Sequence, residues 1–194
     1  FFFEFNELPL KERILVSIFQ SITPRTAGFN TVNLNGVSEV GLIILVILML
    51  IGGSPGSTAG GMKTSTIAVI CSSIISVFKN KENAELFKKR ISDENVKKAF
   101  AIFFLYLFIF LFSGLIISKI ENVSVLSGLF ETASAIGTVG LTLGITPTLC
   151  LVSKIILIML MFFGRIGGLT LIYATLGEGK KQFYNYPLEK IMVG

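Results

Sequence analysis

Long apolar runs alternate with short polar segments along most of the chain. The run at residues 99–118, AFAIFFLYLFIFLFSGLIIS, has no internal charge. Its length is about the 20 residues that one membrane-spanning helix needs. Residues 40–51 and 64–78 are apolar runs that flank the segment IGGSPGSTAGGMKT, and residues 149–176 form the last run. The pattern predicts an integral membrane protein of the all-α class.

Basic side chains are concentrated between and after these runs. Residues 79–98 hold seven Lys or Arg against four Asp or Glu, and three more lysines follow residue 177. Cytoplasmic loops of membrane proteins carry an excess of Lys and Arg. Residues 79–98 and 177–194 are therefore predicted to be cytoplasmic in a multi-pass protein of the plasma membrane. Residues 99–118 then cross outward, and residues 149–176 return.

Two segments predict short helices that enter the membrane without crossing it. Residues 119–148 lie between an outward and an inward span, are helical in character as far as Ile136, and are glycine-rich after it. Residues 11–23, KERILVSIFQSIT, predict a similar short helix before PRTAGFN. Irregular backbone at membrane depth is stable only where protein covers it or where it lines water. Each segment is therefore interpreted as a re-entrant helix followed by an irregular loop.

These two segments align at a constant offset of 112 residues, and the apolar runs that follow them align at the same offset. Matched apolar positions are common by chance, but a matched Thr-x-Gly and a matched terminal glycine are not. The chain is predicted to contain an internal repeat of span, re-entrant helix, loop and span. The matched pairs include Thr26 and Thr138, Gly28 and Gly140, Val40 and Val152, and Gly52 and Gly164.

The loops TAGF and TVGL are predicted to bind a cation. A selective pore replaces the hydration shell of the ion with backbone carbonyl oxygens. Glycine readily adopts the backbone angles that turn successive carbonyls the same way. The C-terminal ends of the preceding helices carry partial negative charge, which also favours a cation. The predicted filter residues are Thr26, Ala27, Gly28, Thr138, Val139 and Gly140.

Residues 39–78 are too long an apolar stretch for one crossing. As a continuous helix they would extend about 60 Å at 1.5 Å per residue, twice the hydrocarbon core. The glycine-rich segment therefore predicts a helix break at residues 52–62, and a loop there, just below a filter, can block a pore. The matching stretch of the other copy, GRIGGLT, is expected to stay helical. The predicted gate residues are Gly52, Gly53, Ser54, Gly56, Ser57, Thr58, Gly60, Gly61 and Arg165.

Arg165 is included because it lies deep in the last apolar run. An arginine at the middle of a membrane costs about 2.5 to 3.5 kcal/mol on insertion scales, so it should face a cavity or a partner. The repeat matches it with Gly53, at the start of the glycine-rich loop. We expect it to hold that loop or to place a positive charge below the filter. The alternative is that its side chain reaches the cytoplasmic interface.

Glu131, within the second short helix, stands near the position of Gln20 in the first. It is expected to hydrogen-bond backbone amides of the filter or to pair with Arg25. The alternative is an ordinary polar residue at the outer mouth of the protein.

The amino-acid composition limits the classes of function that are predicted for this chain. Charged residues make up 15% of the chain, against about 25% in soluble domains. The net charge of +5 comes from lysines of the loops, so no nucleic-acid partner is predicted. The sequence has no histidine, which removes the commonest general base and metal ligand, and no enzymatic activity or organic cofactor is predicted. Cys71 and Cys150 are interpreted as small buried side chains.

The segment GSTAGGMKT also approximates the nucleotide-binding P-loop pattern. From Gly56 to Gly61 the spacing fits G-x-x-x-x-G-K-[ST]. However, Met62 separates Gly61 from Lys63, and the preceding run is a membrane span rather than a strand. Nucleotide binding by this chain is therefore not predicted.

Four segments, TPRTAGFN, IGGSPGSTAGGMKT, FETASAIGTVGLT and FFGRIGGLTLIYA, resemble the third and fourth repeats of the Trk/Ktr/HKT potassium transporter superfamily. The closing YPLEKIMVG is similar to the end of the KtrB-type pore subunits. The resemblance implies four such units around one pseudo-fourfold pore, with this chain as the C-terminal half. Residues 1–78 would be the third repeat without most of its first span, and 79–98 a cytoplasmic basic loop. Residues 99–177 would be the fourth repeat and 178–194 a cytoplasmic tail.

The function that this resemblance implies is potassium uptake through a channel-like transmembrane pore with an intramembrane glycine-rich gate. Potassium at the filter is the only metal ion expected to bind, with sodium as a candidate activator. The implied partners are membrane lipid, a second copy in a homodimer, and a cytosolic ring of KtrA/TrkA-like nucleotide-binding regulatory proteins. The alternative is a secondary transporter of another cation or small solute, which predicts discontinuous helices in corresponding positions of both copies.

Overall fold

The computed structural model describes residue 5, residues 8–81 and residues 83–167. Within these residues the chain is predominantly helical, as predicted, but it also contains a two-stranded β-hairpin that the sequence pattern does not predict. The predicted tail at 178–194 lies outside the described residues. The helices are α1 (Leu10–Ile22), α2 (Glu39–Leu50), α3 (Thr64–Phe78), α4 (Asp93–Glu121), α5 (Val125–Ile136) and α6 (Leu151–Ile166).

Serine residues set the start of three of these helices. The hydroxyl oxygens of Ser38, Ser92 and Ser124 accept hydrogen bonds from backbone amides in the first turns of α2, α4 and α5. Such caps satisfy amides that have no partner within the helix. The acidic residues Asp93 and Glu94 in the first turn of α4 add a favourable interaction with the helix dipole.

The long helix is α4, with 29 residues. Within the described part of the chain it is the one helix long and apolar enough to cross a membrane alone. It ends at Asn122, whose left-handed backbone (φ 53°) cannot continue a helix. Since α4 begins at Asp93, residues 93–98 are helical rather than part of the predicted basic loop.

The hairpin connects α3 to α4. Strand β1 (Glu85–Leu86) pairs antiparallel with β2 (Lys89–Arg90) through a turn in which Phe87 and Lys88 both have positive φ. The Ser72 hydroxyl of α3 donates to the Glu85 carbonyl oxygen at 2.7 Å. The Lys81 ammonium hydrogen-bonds the Glu85 carboxylate at 2.7 Å, and this contact lowers the pKa of that carboxyl. The hairpin is thus fixed to the end of α3.

Helix α5 is the centre of the structure, packed against α4, α6 and α2. Its Phe130, Ala133 and Ile136 are buried in the core. By contrast, large apolar side chains on α2, α4 and α6, such as Ile43, Phe108 and Phe162, are exposed. Extended exposed apolar surface of this kind is expected where a helix faces lipid or another protein unit.

The two segments aligned in the sequence have the same order of elements. A 3₁₀ turn at Leu34–Gly36 connects α1 to α2, and a 3₁₀ turn at Thr146–Thr148 connects α5 to α6. Both turns, and the first residues of α2 and α6, coincide at the offset of 112 residues. The described residues therefore repeat a helix, loop, 3₁₀ turn and helix.

The predicted interruption of the apolar stretch is present, because α2 ends at Leu50 and α3 begins at Thr64. The expectation that GRIGGLT stays helical is wrong at Gly167. Helix α6 ends at Ile166, and Gly167 has a left-handed backbone with φ 87°. Residues 168–170 of this stretch lie outside the described residues. A helix therefore ends near the corresponding place in both copies.

Candidate functional site

The two predicted filter loops, residues 26–28 and 138–140, lie against each other. A Cβ atom on Gly28 would be 2.0 Å from the Val139 carbonyl oxygen and 3.4 Å from the Gly140 Cα. No side chain fits between backbones at that separation. The fold thus brings residues 26–28 next to residues 138–140, although the two segments are more than a hundred positions apart in the sequence.

Both loops adopt the same unusual backbone. Gly28 and Gly140 have φ of 72° and 93°, and the preceding Thr26 and Thr138 have φ of 64° and 52°. For a β-branched residue this region is a genuine outlier, with a cost of about 1–3 kcal/mol for each residue. The sequence predicts the unusual conformation for the glycines alone. The threonines share it, which indicates that the packing around both loops imposes it.

Amide groups of each loop turn back to the helix that precedes it. The amides of Ala27 and Gly28 donate to the Thr23 carbonyl oxygen at 3.1 and 3.2 Å. In the second copy the Val139 amide donates to the Ser134 carbonyl oxygen at 2.9 Å, and the Gly140 amide donates to Ser134 Oγ at 3.2 Å. Within the described residues, no carbonyl oxygen of residues 26–28 or 138–140 accepts a hydrogen bond. These oxygens therefore have no hydrogen-bond donor in the described part of the chain, and the Val139 oxygen lies against Gly28.

The glycine-rich loop leaves α2 and returns beside its own starting point. The Gly52 amide donates to the Met62 carbonyl oxygen at 2.7 Å, and the Met62 amide donates to the Leu50 carbonyl oxygen at 3.1 Å. Ile51 and Met62 pair in parallel, so the chain continues into α3 in the direction in which it left α2. A Cβ on Gly52 would be 2.0 Å from the Gly60 carbonyl oxygen. The two ends of the loop are thus held together by backbone hydrogen bonds of Met62 to Leu50 and Gly52.

This loop contacts the second filter loop. The Gly60 amide donates to Thr138 Oγ1 at 3.0 Å, and a Cβ on Gly60 would clash with the Thr138 side chain. Thr138 thus belongs both to a predicted filter loop and to the contact with the predicted gate.

Two basic side chains hold the loop through its carbonyl oxygens. Arg165 Nη1 donates to the Thr58 carbonyl oxygen at 2.6 Å, so Arg165 does contact the loop, at Thr58 rather than at Gly53. Lys63 Nζ donates to the carbonyl oxygens of Ser57 and Ala59 at 3.0 and 2.7 Å. In the sequence, the signal for these contacts is a lysine placed directly after a flexible loop.

Among the described residues, Glu131 accepts no amide of the predicted filter residues and makes no pair with Arg25. Its Oε1 accepts the Leu143 amide at 3.1 Å, on the segment that follows the second filter loop. Gln20 is fully buried in α1, and its amide has no hydrogen-bond partner among the described residues. Cys71 and Cys150 are exposed, contrary to the expectation that they are buried.

A cavity of about 520 Å³ opens between the second filter loop and α6. It is lined by residues of α5, of the filter loop and of α6, among them Glu131, Thr138, Gly140, Leu157 and Met161. The second filter loop therefore has one side held by α5 and one side open.

The family model described as TrkH, cation transport protein, matches residues 4–182. The chain belongs to the TrkH family of cation transport proteins. The family resemblance inferred from the four sequence segments is thereby confirmed.

Two relatives of this TrkH-family chain are named as uptake proteins. It is 40% identical over 189 residues to the potassium/sodium uptake protein NtpJ of Enterococcus hirae, with 94% of this chain and 42% of that protein covered. It is 36% identical over 189 residues to the Ktr system potassium uptake protein B of Bacillus subtilis, with 97% of this chain and 42% of that protein covered. The chain therefore spans less than half the length of these relatives.

The fold of the TrkH-family chain is also that of a solved transporter. The crystal structure of the potassium transporter TrkH from Vibrio parahaemolyticus matches with a TM-score of 0.70, at 22% sequence identity. The match covers 86% of this chain and 38% of that protein. At this identity the likeness is evidence for the fold.

Proposed function

We propose that this chain is the C-terminal half of a potassium uptake pore and contains its third and fourth repeats. The observation that carries the proposal is the contact between two Thr-x-Gly loops whose carbonyl oxygens are free of hydrogen bonds within the described residues. Carbonyl oxygens held in this way can replace the water around a dehydrated potassium ion. The printed names of two relatives, a potassium/sodium uptake protein and a potassium uptake protein, support potassium as the cargo.

Residues 26–28 and 138–140 provide two sides of the proposed filter. Two loops cannot enclose an ion on four sides, so two further repeats complete a pseudo-fourfold ring. Short helices α1 and α5 would be the re-entrant helices, with their C-terminal ends and partial negative charge toward the ion. The exposed apolar faces of α2, α4 and α6 would face lipid and the other repeats.

The glycine-rich loop, residues 52–61, is the proposed gate. It contacts Thr138 at one side and Arg165 of α6 at the other. A loop in that position restricts the path below the filter. Its small side chains allow it to move without the loss of large packing contacts, while Arg165 and Lys63 stabilise the described position through carbonyl oxygens.

The assembly that we propose is a homodimer of complete pores in the plasma membrane, with a cytosolic nucleotide-binding ring as regulator. ATP or ADP would bind that ring rather than this chain. Sodium is proposed as an activator or second cargo, which the name of the Enterococcus hirae relative supports.

A second candidate is a secondary transporter with discontinuous helices at the membrane centre. It is favoured by the end of α6 at Gly167, which gives both copies a helix end near the corresponding position. Because helices end near this position in both copies, helix continuity does not distinguish a pore from a secondary transporter. The two functions differ in whether potassium uptake depends on a gradient of a second ion.

We expect the complete transporter in liposomes to carry potassium down a potassium gradient alone, because a filter needs no coupled ion. Uptake is measured with tracer potassium, with sodium and proton gradients absent. A control with liposomes free of protein gives the leak. Uptake that requires a sodium or proton gradient would favour the secondary transporter instead.

Single cysteines at Asn83 and Gln182 are expected to react with a membrane-impermeant reagent only from the cytoplasmic side, because basic loops are retained there. Asn83 precedes the hairpin, and Gln182 lies outside the described residues. Cys71 and Cys150 are exposed and must first be replaced by alanine. Labelling of either new cysteine in intact cells would contradict the proposed topology.

A further inference from the structure

Glu131 is a buried carboxylate beside the second filter loop, with 4% of its surface exposed. It accepts hydrogen bonds from three groups of the segment that follows the filter. Oε1 accepts the Thr142 hydroxyl at 2.5 Å and the Leu143 amide at 3.1 Å, and Oε2 accepts the Thr146 hydroxyl at 2.9 Å. An ionised carboxylate only accepts hydrogen bonds, and such charge-assisted bonds are about twice as strong as neutral ones.

Ser134 is one helical turn after Glu131, on the same face of α5. Its Oγ accepts the Gly140 amide at 3.2 Å. The two side chains therefore hold the filter loop at Gly140 and the segment behind it at Thr142, Leu143 and Thr146. Since Glu131 and Gly140 line the same cavity, this support is directly beside the free face of the loop.

In the part of the chain that the structure describes, the first copy has no equivalent pair of side chains. At the offset of 112 residues, Phe19 and Ile22 replace Glu131 and Ser134. Among the described residues, the side-chain hydrogen bond to the first loop comes from Thr23, directly after α1, whose hydroxyl donates to the Phe29 carbonyl oxygen at 2.9 Å. The neighbouring Gln20 is buried without a hydrogen-bond partner in the described chain. Among the described residues, the second loop and the segment behind it thus have more side-chain hydrogen bonds to their short helix than the first loop has.

We propose that Glu131 is a positioning residue that fixes the second filter loop and thereby sets the preference for potassium over sodium. The inference rests on the proposed function. Sodium is the smaller ion, so carbonyl oxygens must move inward to coordinate it. The three hydrogen bonds from residues 142–146 to Glu131 oppose that movement. A potassium ion, being larger, is coordinated without any movement of the loop.

The test is the ratio of potassium to sodium uptake by the complete transporter in liposomes, each ion being measured alone under equal gradients. Glu131→Gln keeps the shape of the side chain but loses the charge and one acceptor oxygen. The ratio is expected to fall by about tenfold, the effect of losing a charge-assisted hydrogen bond. Glu121→Gln is the matched control, because the Glu121 carboxylate also accepts a backbone amide, that of Cys150 at 2.9 Å, away from the filter. It is expected to leave the ratio unchanged.

A merely structural role of Glu131 would reduce the amount of inserted protein but not the ratio. An unchanged ratio in Glu131→Gln would therefore overturn this inference alone, whereas the absence of potassium uptake by the unaltered transporter would contradict the proposed function. Should Glu131→Gln not reach the membrane, Thr142→Val and Thr146→Val serve, because each removes one hydroxyl donor and keeps the carboxylate. Each is expected to lower the ratio by about threefold, and unchanged ratios in both would overturn the proposal.

Discussion

Replacing Gly28 with alanine is expected to reduce potassium uptake to near background and to abolish the preference for potassium over sodium. The new Cβ would be 2.0 Å from the Val139 carbonyl oxygen, a separation at which one group must move. The neighbour is backbone rather than a flexible side chain, so the two filter loops have to separate. The left-handed backbone of Gly28 adds a further cost of about 1–2 kcal/mol for any other residue.

Substitutions at two other glycines provide comparisons for Gly28→Ala. Gly140 also has a positive φ, but a Cβ there would meet nothing nearer than the Gly28 Cα at 4.0 Å. Gly140→Ser is therefore expected to lower the preference for potassium without abolishing uptake. Gly36 has an open environment and no positive φ, so Gly36→Ala is the neutral control. All three are measured as potassium and sodium uptake at equal amounts of inserted protein. Normal selectivity in Gly28→Ala would mean that the loops do not form the filter.

Deletion of residues 54–59 is expected to raise potassium flux while leaving the ion preference unchanged. The deletion removes the Thr58 carbonyl that Arg165 holds and the two carbonyls that Lys63 holds. Losing even one charge-assisted hydrogen bond shifts a closed–open equilibrium on the order of tenfold. Because a Cβ on Gly53 would be 2.9 Å from the Ala59 Cβ, the chain can be rejoined at Gly60 with little movement.

Arg165→Ala provides a milder form of the same test. It removes one contact of the loop, so flux is expected to rise less than in the deletion. Lys154→Ala is the matched control, because Lys154 is also a basic residue of α6 bonded to a backbone carbonyl, that of Pro147 at 3.2 Å. Flux is measured as initial potassium uptake in liposomes. If the inserted deletion variant conducts no faster than the unaltered transporter, the loop is a packing feature rather than a gate.

The sequence predicts the elements that depend on length and local pattern. The boundary of α5 at Ile136 follows from the change to glycine-rich sequence, and the break after α2 follows from a stretch too long for one crossing. The hairpin at residues 85–90 is missed because its strands have two residues each and its turn holds Phe87 and Lys88 instead of Gly or Asn.

Tertiary contacts are the part that the sequence does not provide. The repeat matches Arg165 with Gly53, but Arg165 hydrogen-bonds the Thr58 carbonyl oxygen. The reason is that the glycine-rich loop returns to its starting point and thereby places the Thr58 carbonyl, not that of Gly53, beside α6. The positive φ of Thr26 and Thr138 is imposed by the packing of two distant loops, which no local propensity favours. The end of α6 at Gly167 coincides with a glycine, a residue that commonly follows the last turn of a helix, but the stretch GRIGGLT also contains other glycines and does not show which of them ends it.

The hydrogen bond from the Gly60 amide to Thr138 Oγ1 joins the proposed gate to the proposed filter without any intermediate residue. A potassium ion held by the Thr138 carbonyl and a loop held by the Thr138 hydroxyl would act on the same residue. Loop and ion are then linked, and thermodynamic reciprocity requires each to change the binding of the other by the same factor. The transporter would in that case sense how full its own filter is, because filter occupancy and loop position would depend on each other.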